Sequence, residues 1–209
     1  MISHYKTKIL PGNDPSALGK AVQLLESGHL VAFPTDTVYG LGANAFNSNA
    51  IDRLYAAKGR DASKAIAILV GTPEDLQRLT SEINWLAQRL AQEFWPGALT
   101  IIVPGRSDLP KNISQTATVG VRMPNHPITL NLLQKTGPLA TTSANLSGGT
   151  SPKTAQEVFL QLQDHVPLIL DGGKTPGGEP STVVDCTGRT PIILRDGPIS
   201  LEQILAITS

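Results

Sequence analysis

Apolar residues recur along the chain in two alternating rhythms. Leu18, Val22 and Leu25 follow Asp14-Pro15 at helical spacing, and Gly28 closes the run, which predicts a first helix with a cap, an initial proline and a glycine stop. Leu30 to Phe33 is a short apolar run ended by Pro34, which has no backbone donor for a ladder, so a strand is expected there. Thr35, Asp36, Thr37 and Tyr39 then lead through Gly40 and Gly42, read as a glycine-bearing loop. Ile51, Leu54 and Tyr55 form one helical face behind Ser48 as cap, with Gly59 as the stop. Residues 65–70 and 99–103 are continuous apolar runs, as expected of strands buried on both faces.

The same reasoning extends to the C-terminus. Thr72-Pro73-Glu74 predicts a helix start, and Ile83, Leu86, Leu90 and Phe94 predict a helix over 82–94. Residues 119–123 alternate as a strand that turns Arg122 away from its apolar neighbours. Pro127 opens a helix through Leu133, residues 138–149 run from a strand into a polar turn, and Ser151-Pro152 predicts another helix start. Residues 166–170 are a strand, 171–181 a glycine-rich loop, and 182–186 with 191–195 a hairpin. Ser200 and Gln203 fit a capping box for a last helix. About seven or eight strands and six or seven helices, joined by crossovers and one hairpin, predict an α/β fold: a single domain with a twisted sheet of mixed parallel and antiparallel strands.

Composition narrows the function classes. The 209 residues carry 17 Lys plus Arg against 17 Asp plus Glu, a balance that gives no support to a dedicated nucleic-acid binder. The distribution is uneven: no Asp or Glu lies between Asp108 and Glu157, while Lys111, Arg122, Lys135 and Lys153 do, so a locally positive surface is expected. The single cysteine, Cys186, excludes an intrachain disulfide and reads as a buried thiol. The N-terminal stretch lacks an apolar signal core, and no window approaches the ~20 apolar residues of a span, so a soluble, cytoplasmic protein is expected.

Single motifs say little. Gly40, Gly42 and Ala45 fit a dinucleotide fingerprint, but the strand ends too early and the helix begins too late for it. Gly173-Lys174-Thr175 spells the end of a P-loop, yet Leu168 stands where the first glycine belongs and Pro176 breaks the following helix. Lys58-Gly-Arg60 alone is ordinarily a solvated helix end, and Ser143-Ala144-Asn145 alone is ordinarily a polar turn. An arginine on an apolar strand, Arg122, marks either a sheet edge or a ligand pocket.

Their order is far more specific. Phe33-Pro-Thr-Asp-Thr-Val-Tyr-Gly-Leu-Gly42, Lys58-Gly-Arg60, Phe94-Trp-Pro-Gly97, Val121-Arg-Met-Pro124, Ser143-Ala-Asn145, Ser181-Thr-Val-Val-Asp185 and Leu194-Arg195 occur in one sequence. Together they resemble the YrdC family, the threonylcarbamoyl-AMP synthases, over about residues 10–206, in its short single-domain form. The resemblance implies a YrdC-like domain over 1–209 with helices on the sheet faces and a concave ligand cleft. It implies synthesis of threonylcarbamoyl-AMP and pyrophosphate from L-threonine, bicarbonate or CO2, and ATP, with Mg2+ carried by the ATP. A partner transferase complex then modifies tRNA, and tRNA itself binds weakly if at all.

By the same resemblance, Lys58, Arg60, Ser143 and Asn145 form the catalytic set at the nucleotide phosphates. Arg122 meets the threonine carboxylate, with Thr35, Thr37, Thr142 and Ser181 around threonine. Lys64, Thr118, Ala144, Ser151 and Arg195 complete the ATP contacts. The sequence departs from the family pattern at Asp61 where proline is usual, at Lys64-Ala-Ile66, at Leu69 where many members have histidine, and at Pro180. The alternative from another class is a non-catalytic RNA-binding or ribosome-assembly protein of the same fold, which the balanced charge disfavours.

Overall fold

The computed structural model describes residues 5–61 and 64–208. The first four residues of the N-terminal stretch, Ala62 and Ser63 beside the Lys58-Gly-Arg60 motif, and Ser209 lie outside the described residues. Among the described residues ten strands form one sheet. They are β1 (Lys8–Pro11), β2 (Val31–Phe33), β3 (Gly40–Asn44), β4 (Ala67–Leu69), β5 (Leu99–Pro104), β6 (Thr118–Arg122), β7 (Leu139–Ser143), β8 (Leu168–Asp171), β9 (Thr182–Asp185) and β10 (Ile192–Arg195). Their spatial order is β1-β8-β2-β3-β7-β4-β6-β5-β9-β10. Parallel pairs (β1 and β2 on β8, β4 on β6, β5 on β9) mix with antiparallel ones, including the expected terminal hairpin of β9 and β10.

Six α-helices cover the sheet: α1 (Pro15–Glu26), α2 (Ser48–Lys58), α3 (Trp85–Phe94), α4 (Pro127–Thr136), α5 (Ala155–Leu162) and α6 (Leu201–Thr208). Local chemistry sets several of their ends. The Asp14 carboxylate accepts from the Ser16 amide, Gly59 closes α2 in the left-handed region at φ 57°, and Ser200 with Gln203 exchanges both bonds of a capping box. Other ends differ from the sequence reading. Asn47 caps α2, because its carboxamide reaches the Ala50 amide. Asn84 caps α3, so that helix begins at Trp85 and not at Glu82. Pro73–Arg78 is a 3₁₀ helix whose Thr72 makes no side-chain cap. The helix expected from Ser151-Pro152 begins at Ala155, where the Thr154 hydroxyl accepts from Glu157.

Two strands went unread. β1 has exposed ends, and β3 is glycine-rich. A Cβ on Gly42 would stand 2.6 Å from the Phe33 ring, and one on Gly40 would stand 3.2 Å from it. These glycines admit an aromatic ring across an antiparallel pair; they are not a phosphate turn.

The sheet separates two cores. On one face α1 and α4 bury Leu18, Leu25, Leu132 and Leu133 against Phe33, Leu139, Leu168 and Leu170. The larger core on the other face unites Leu54, Leu86, Leu90, Ile101, Val158 and Ile204, and takes in Cys186. Burial pushes the Cys186 thiol up to about 12, so it packs as an inert side chain. Helices α1 and α4 cover the β1–β3 side of their face and reach Leu69 of β4; over β6, β5 and β9 that face stays open, and the cleft lies there. Among the described residues no helix is long and apolar enough to cross a membrane.

Candidate active site

The cleft encloses about 320 Å³. Its floor is the open half of the sheet: Ala67 and Leu69 of β4, Gly120 and Arg122 of β6, Thr100 and Ile102 of β5, and Val183 of β9. Small residues make the depth. A Cβ on Gly120 would stand 3.0 Å from Ile102 and 3.2 Å from Thr100. Among the described residues three arginines, Arg60, Arg122 and Arg195, line the cleft, and no carboxylate does. The site is therefore positive, as expected, but only Arg122 comes from the acid-free stretch; Lys111, Lys135 and Lys153 do not line it.

The segment after β2 supplies hydroxyls. The Thr35 hydroxyl donates to the Val38 carbonyl at 2.7 Å and accepts from the Thr37 amide at 3.1 Å. Its one proton is thus committed, so in the 3.0 Å contact between the two hydroxyls Thr37 is the donor. Thr35 is then saturated, whereas Thr37, which also accepts from Arg122 Nη1 at 3.0 Å, keeps one lone pair. The next residue but one in the cleft wall, Tyr39, ties this segment to the glycine-rich loop. Its hydroxyl donates to the Gly173 carbonyl at 2.8 Å and accepts from the Gly172 amide, and burial pushes it up to about 12.

Arg122 ends β6 almost wholly buried. Nε donates to the Gly97 carbonyl at 2.9 Å, Nη1 to Thr37, and Nη2 to Asp36 in an ion pair. Burial draws the guanidinium below the usual arginine range and Asp36 opposes that. Three of the five N–H donors are used, which leaves two in fixed directions.

Just before β9, the Ser181 carbonyl accepts from Nε and Nη2 of Arg195, the last residue of β10, at 3.0 and 2.7 Å, and the Ser181 hydroxyl meets Thr100 at 2.8 Å.

The two short motifs meet behind the wall. Lys58 is buried, and its amino group donates to the backbone carbonyl of Ser143. Burial, then the neighbouring Arg60, lowers it from 10.5 to about 7. Arg60 reaches the cleft, its Nη2 donating to the Ala65 carbonyl at 3.1 Å and its buried Nε meeting no partner among the described residues. Asn145 donates both amide hydrogens to its own loop, to Leu146 and Gly149 carbonyls at 2.7 and 2.8 Å, and its buried Oδ1 has no partner.

The structure therefore brings Thr35, Thr37, Arg60, Arg122, Thr142, Ser143, Ser181 and Arg195 to one cleft. Lys58, Ala144 and Asn145 adjoin it through Ser143 without lining it. Lys64 is exposed, and Ser151 lies outside the lining. Thr118 belongs to a separate depression of about 230 Å³, where its hydroxyl meets Thr116. Sequence reasoning missed Asp36, Tyr39 and Thr100; the lone hydroxyl inside the apolar run 99–103 was the available signal for Thr100.

A family model named for Sua5, YciO and YrdC, and described as telomere recombination, matches residues 23–197. The chain belongs to the Sua5/YciO/YrdC family. A Mycobacterium tuberculosis relative is 42% identical over 188 residues, 90% of this chain and 87% of its own length. The threonylcarbamoyl-AMP synthase of Bacillus subtilis is 43% identical over 204 residues, 96% of this chain. The chain spans only 59% of that relative. Among solved structures, the Sua5 of P. abyssi complexed with L-threonine superposes with a TM-score of 0.91 at 40% identity, covering 96% of this chain and 59% of Sua5. E. coli YciO superposes at 0.83 with 26% identity, and the two cover 97% and 99% of each other's length.

Proposed function

We propose that this member of the Sua5/YciO/YrdC family is a threonylcarbamoyl-AMP synthase, which condenses L-threonine, CO2 or bicarbonate, and ATP, and releases pyrophosphate. The observation that carries this reading is the gathering, in one cleft lined by no carboxylate among the described residues, of Arg122 with two free donors and of Arg60 and Ser143. Arg122 suits an amino-acid carboxylate, since a guanidinium meets it with two parallel bonds. Arg60 suits phosphate. The relatives support the assignment: the B. subtilis protein at 43% identity carries this activity in its name, and P. abyssi Sua5 holds L-threonine.

In the proposed reaction the threonine amine, freed of its proton, adds to the carbon of CO2. The carbamate oxygen then attacks the α-phosphorus, and the bond to pyrophosphate breaks. Nucleophile and electrophile are both anionic, so the chain's part is to hold them together and to offset their charge. The spare lone pair of Thr37 accepts from the amine, Thr142 and Ser181 supply further polar contact, and Lys58, Arg60, Ser143 and Asn145 form the phosphate end. Lys64, Ala144, Ser151, Thr118 and Arg195 remain proposed nucleotide contacts, of which Arg195 lines the cleft.

Magnesium would accompany ATP. The triphosphate oxygens would be its main ligands, as is usual for a hard ion that keeps several of its waters. The ion would neutralise part of the phosphate charge. The adenylate then passes to a transferase that acts on tRNA.

The test is incubation with ATP, threonine and bicarbonate. Threonylcarbamoyl-AMP should appear by mass spectrometry, with pyrophosphate release dependent on both threonine and bicarbonate. Serine should react less well by a factor of about 10–200, the worth of one methyl contact. ATP turnover indifferent to threonine would refute the proposal.

A further inference from the structure

We propose that Asp36 is a positioning residue that acts through Arg122, fixing the two free guanidinium donors that take the substrate carboxylate. The inference rests on the synthase reading above. Asp36 itself does not line the cleft, whereas Arg122 does. Three groups from two segments grip the guanidinium: the Gly97 carbonyl after α3, and the Thr37 hydroxyl and Asp36 carboxylate of the segment after β2. Gly97 is itself held, because its amide donates to the Met123 carbonyl at 2.8 Å.

Asp36 does more than neutralise charge. The same Oδ1 that receives Arg122 Nη2 also accepts from the Asn125 amide at 3.1 Å. One carboxylate oxygen thus ties the guanidinium to the chain just beyond β6, three residues past Arg122 itself. Gly177 packs against this segment, since a Cβ there would stand 2.7 Å from the Asp36 carbonyl, so Asp36 has little freedom to follow a moving arginine. A planar fork held at Nε, Nη1 and Nη2 cannot rotate, and its two remaining N–H vectors are set before substrate arrives. Deleting the Nη2 anchor frees that rotation and leaves the Asn125 amide without its acceptor.

The test measures a ratio: affinity for L-threonine over affinity for L-threonine amide, which lacks the carboxylate, by calorimetry on the full chain. Asp36→Ala removes the anchor. Asp36→Asn keeps an acceptor oxygen in the same place and removes the charge. Positioning predicts that the ratio falls about tenfold or more in the alanine variant and stays within about threefold of wild type in the asparagine variant.

Two results would overturn it. If both variants lose the ratio equally, Asp36 acts by charge. If both keep it while melting temperature falls, Asp36 is structural only. Should wild type itself fail to distinguish threonine from its amide, the carboxylate role of Arg122, and with it the synthase reading, is what fails.

Discussion

Lys58 and Ser143, 85 residues apart, are joined by a hydrogen bond from a buried amino group to a backbone carbonyl. The Ser147 amide returns a bond of 2.9 Å to the Lys58 carbonyl. The end of α2 and the turn after β7 are therefore stitched at two points, and neither motif can shift alone.

The first prediction concerns that amine. Its folded value of about 7 lies below the unfolded 10.5, so between those pH values the unfolded chain binds more protons. Folding stability should then rise with pH from 7 towards 10.5, at a slope approaching ~1.4 kcal/mol per pH unit from this group. Lys58→Met removes the contribution. The difference in stability between wild type and Lys58→Met should shift in favour of wild type across that range, in urea titrations at each pH. A constant difference would show that the lysine titrates normally. Bound phosphate should raise the amine again, so ATP binding at pH 8–9 should take up a proton in wild type and not in the variant.

A second prediction concerns Arg60. If it meets the phosphates, Arg60→Ala removes a preorganised donor and costs about 10²–10³ in rate. The fold should survive, because among the described residues the Arg60 side chain makes one hydrogen bond, to the Ala65 carbonyl at the cleft wall. Arg60→Lys keeps the charge, loses the fork and should recover part of the activity. A control needs an arginine without a structural bond, which excludes Arg53 on α2, since its Nη1 donates to the Gly28 carbonyl at 2.6 Å. Exposed Arg89 on α3 serves instead. Activity of Arg60→Ala within about threefold of Arg89→Ala would remove Arg60 from the site.

Part of the local chemistry was legible in the sequence, though not the caps Asn47, Asn84 and Thr154, and long-range pairing was not. Asp14-Pro15, Gly59 and the Ser200–Gln203 box act within one turn, so their residues announce them. β1 reveals itself only against β8, whose partner residues lie 160 positions on, and β3 looked like a loop because its glycines serve the Phe33 ring. The site divides in the same way. Arg122 and Thr37 could be picked out as residues, and the resemblance added Ser181 and grouped them. That Asp36 holds Arg122 from 86 positions away, or that Thr35 is saturated by its own neighbours, is visible only in three dimensions.

The last prediction tests the turn after β7. Asn145 is buried, and both its amide hydrogens close the turn on Leu146 and Gly149 carbonyls. Gln161 of α5 braces the same turn, accepting from the Leu146 amide at 3.3 Å and donating to the Thr150 carbonyl at 3.0 Å. Asn145→Asp is nearly isosteric but replaces two donors by an acceptor facing two carbonyls. Leaving such a charge buried and unpaired costs about 3–5 kcal/mol. The variant carboxyl escapes by holding a proton, which also restores one donor to the turn, so its folded pKa must lie above its unfolded one. The folded state then binds more protons, and stability should fall as pH rises through the interval above the ordinary carboxylate range. Relative to wild type, Asn145→Asp should therefore be least impaired near pH 5 and progressively worse towards pH 8, in both melting temperature and turnover. Asn145→Ala, with nothing to titrate, should show a deficit independent of pH. If the aspartate variant behaves like the alanine variant across this range, the amide hydrogens of Asn145 do not face the loop carbonyls, and the turn is built another way.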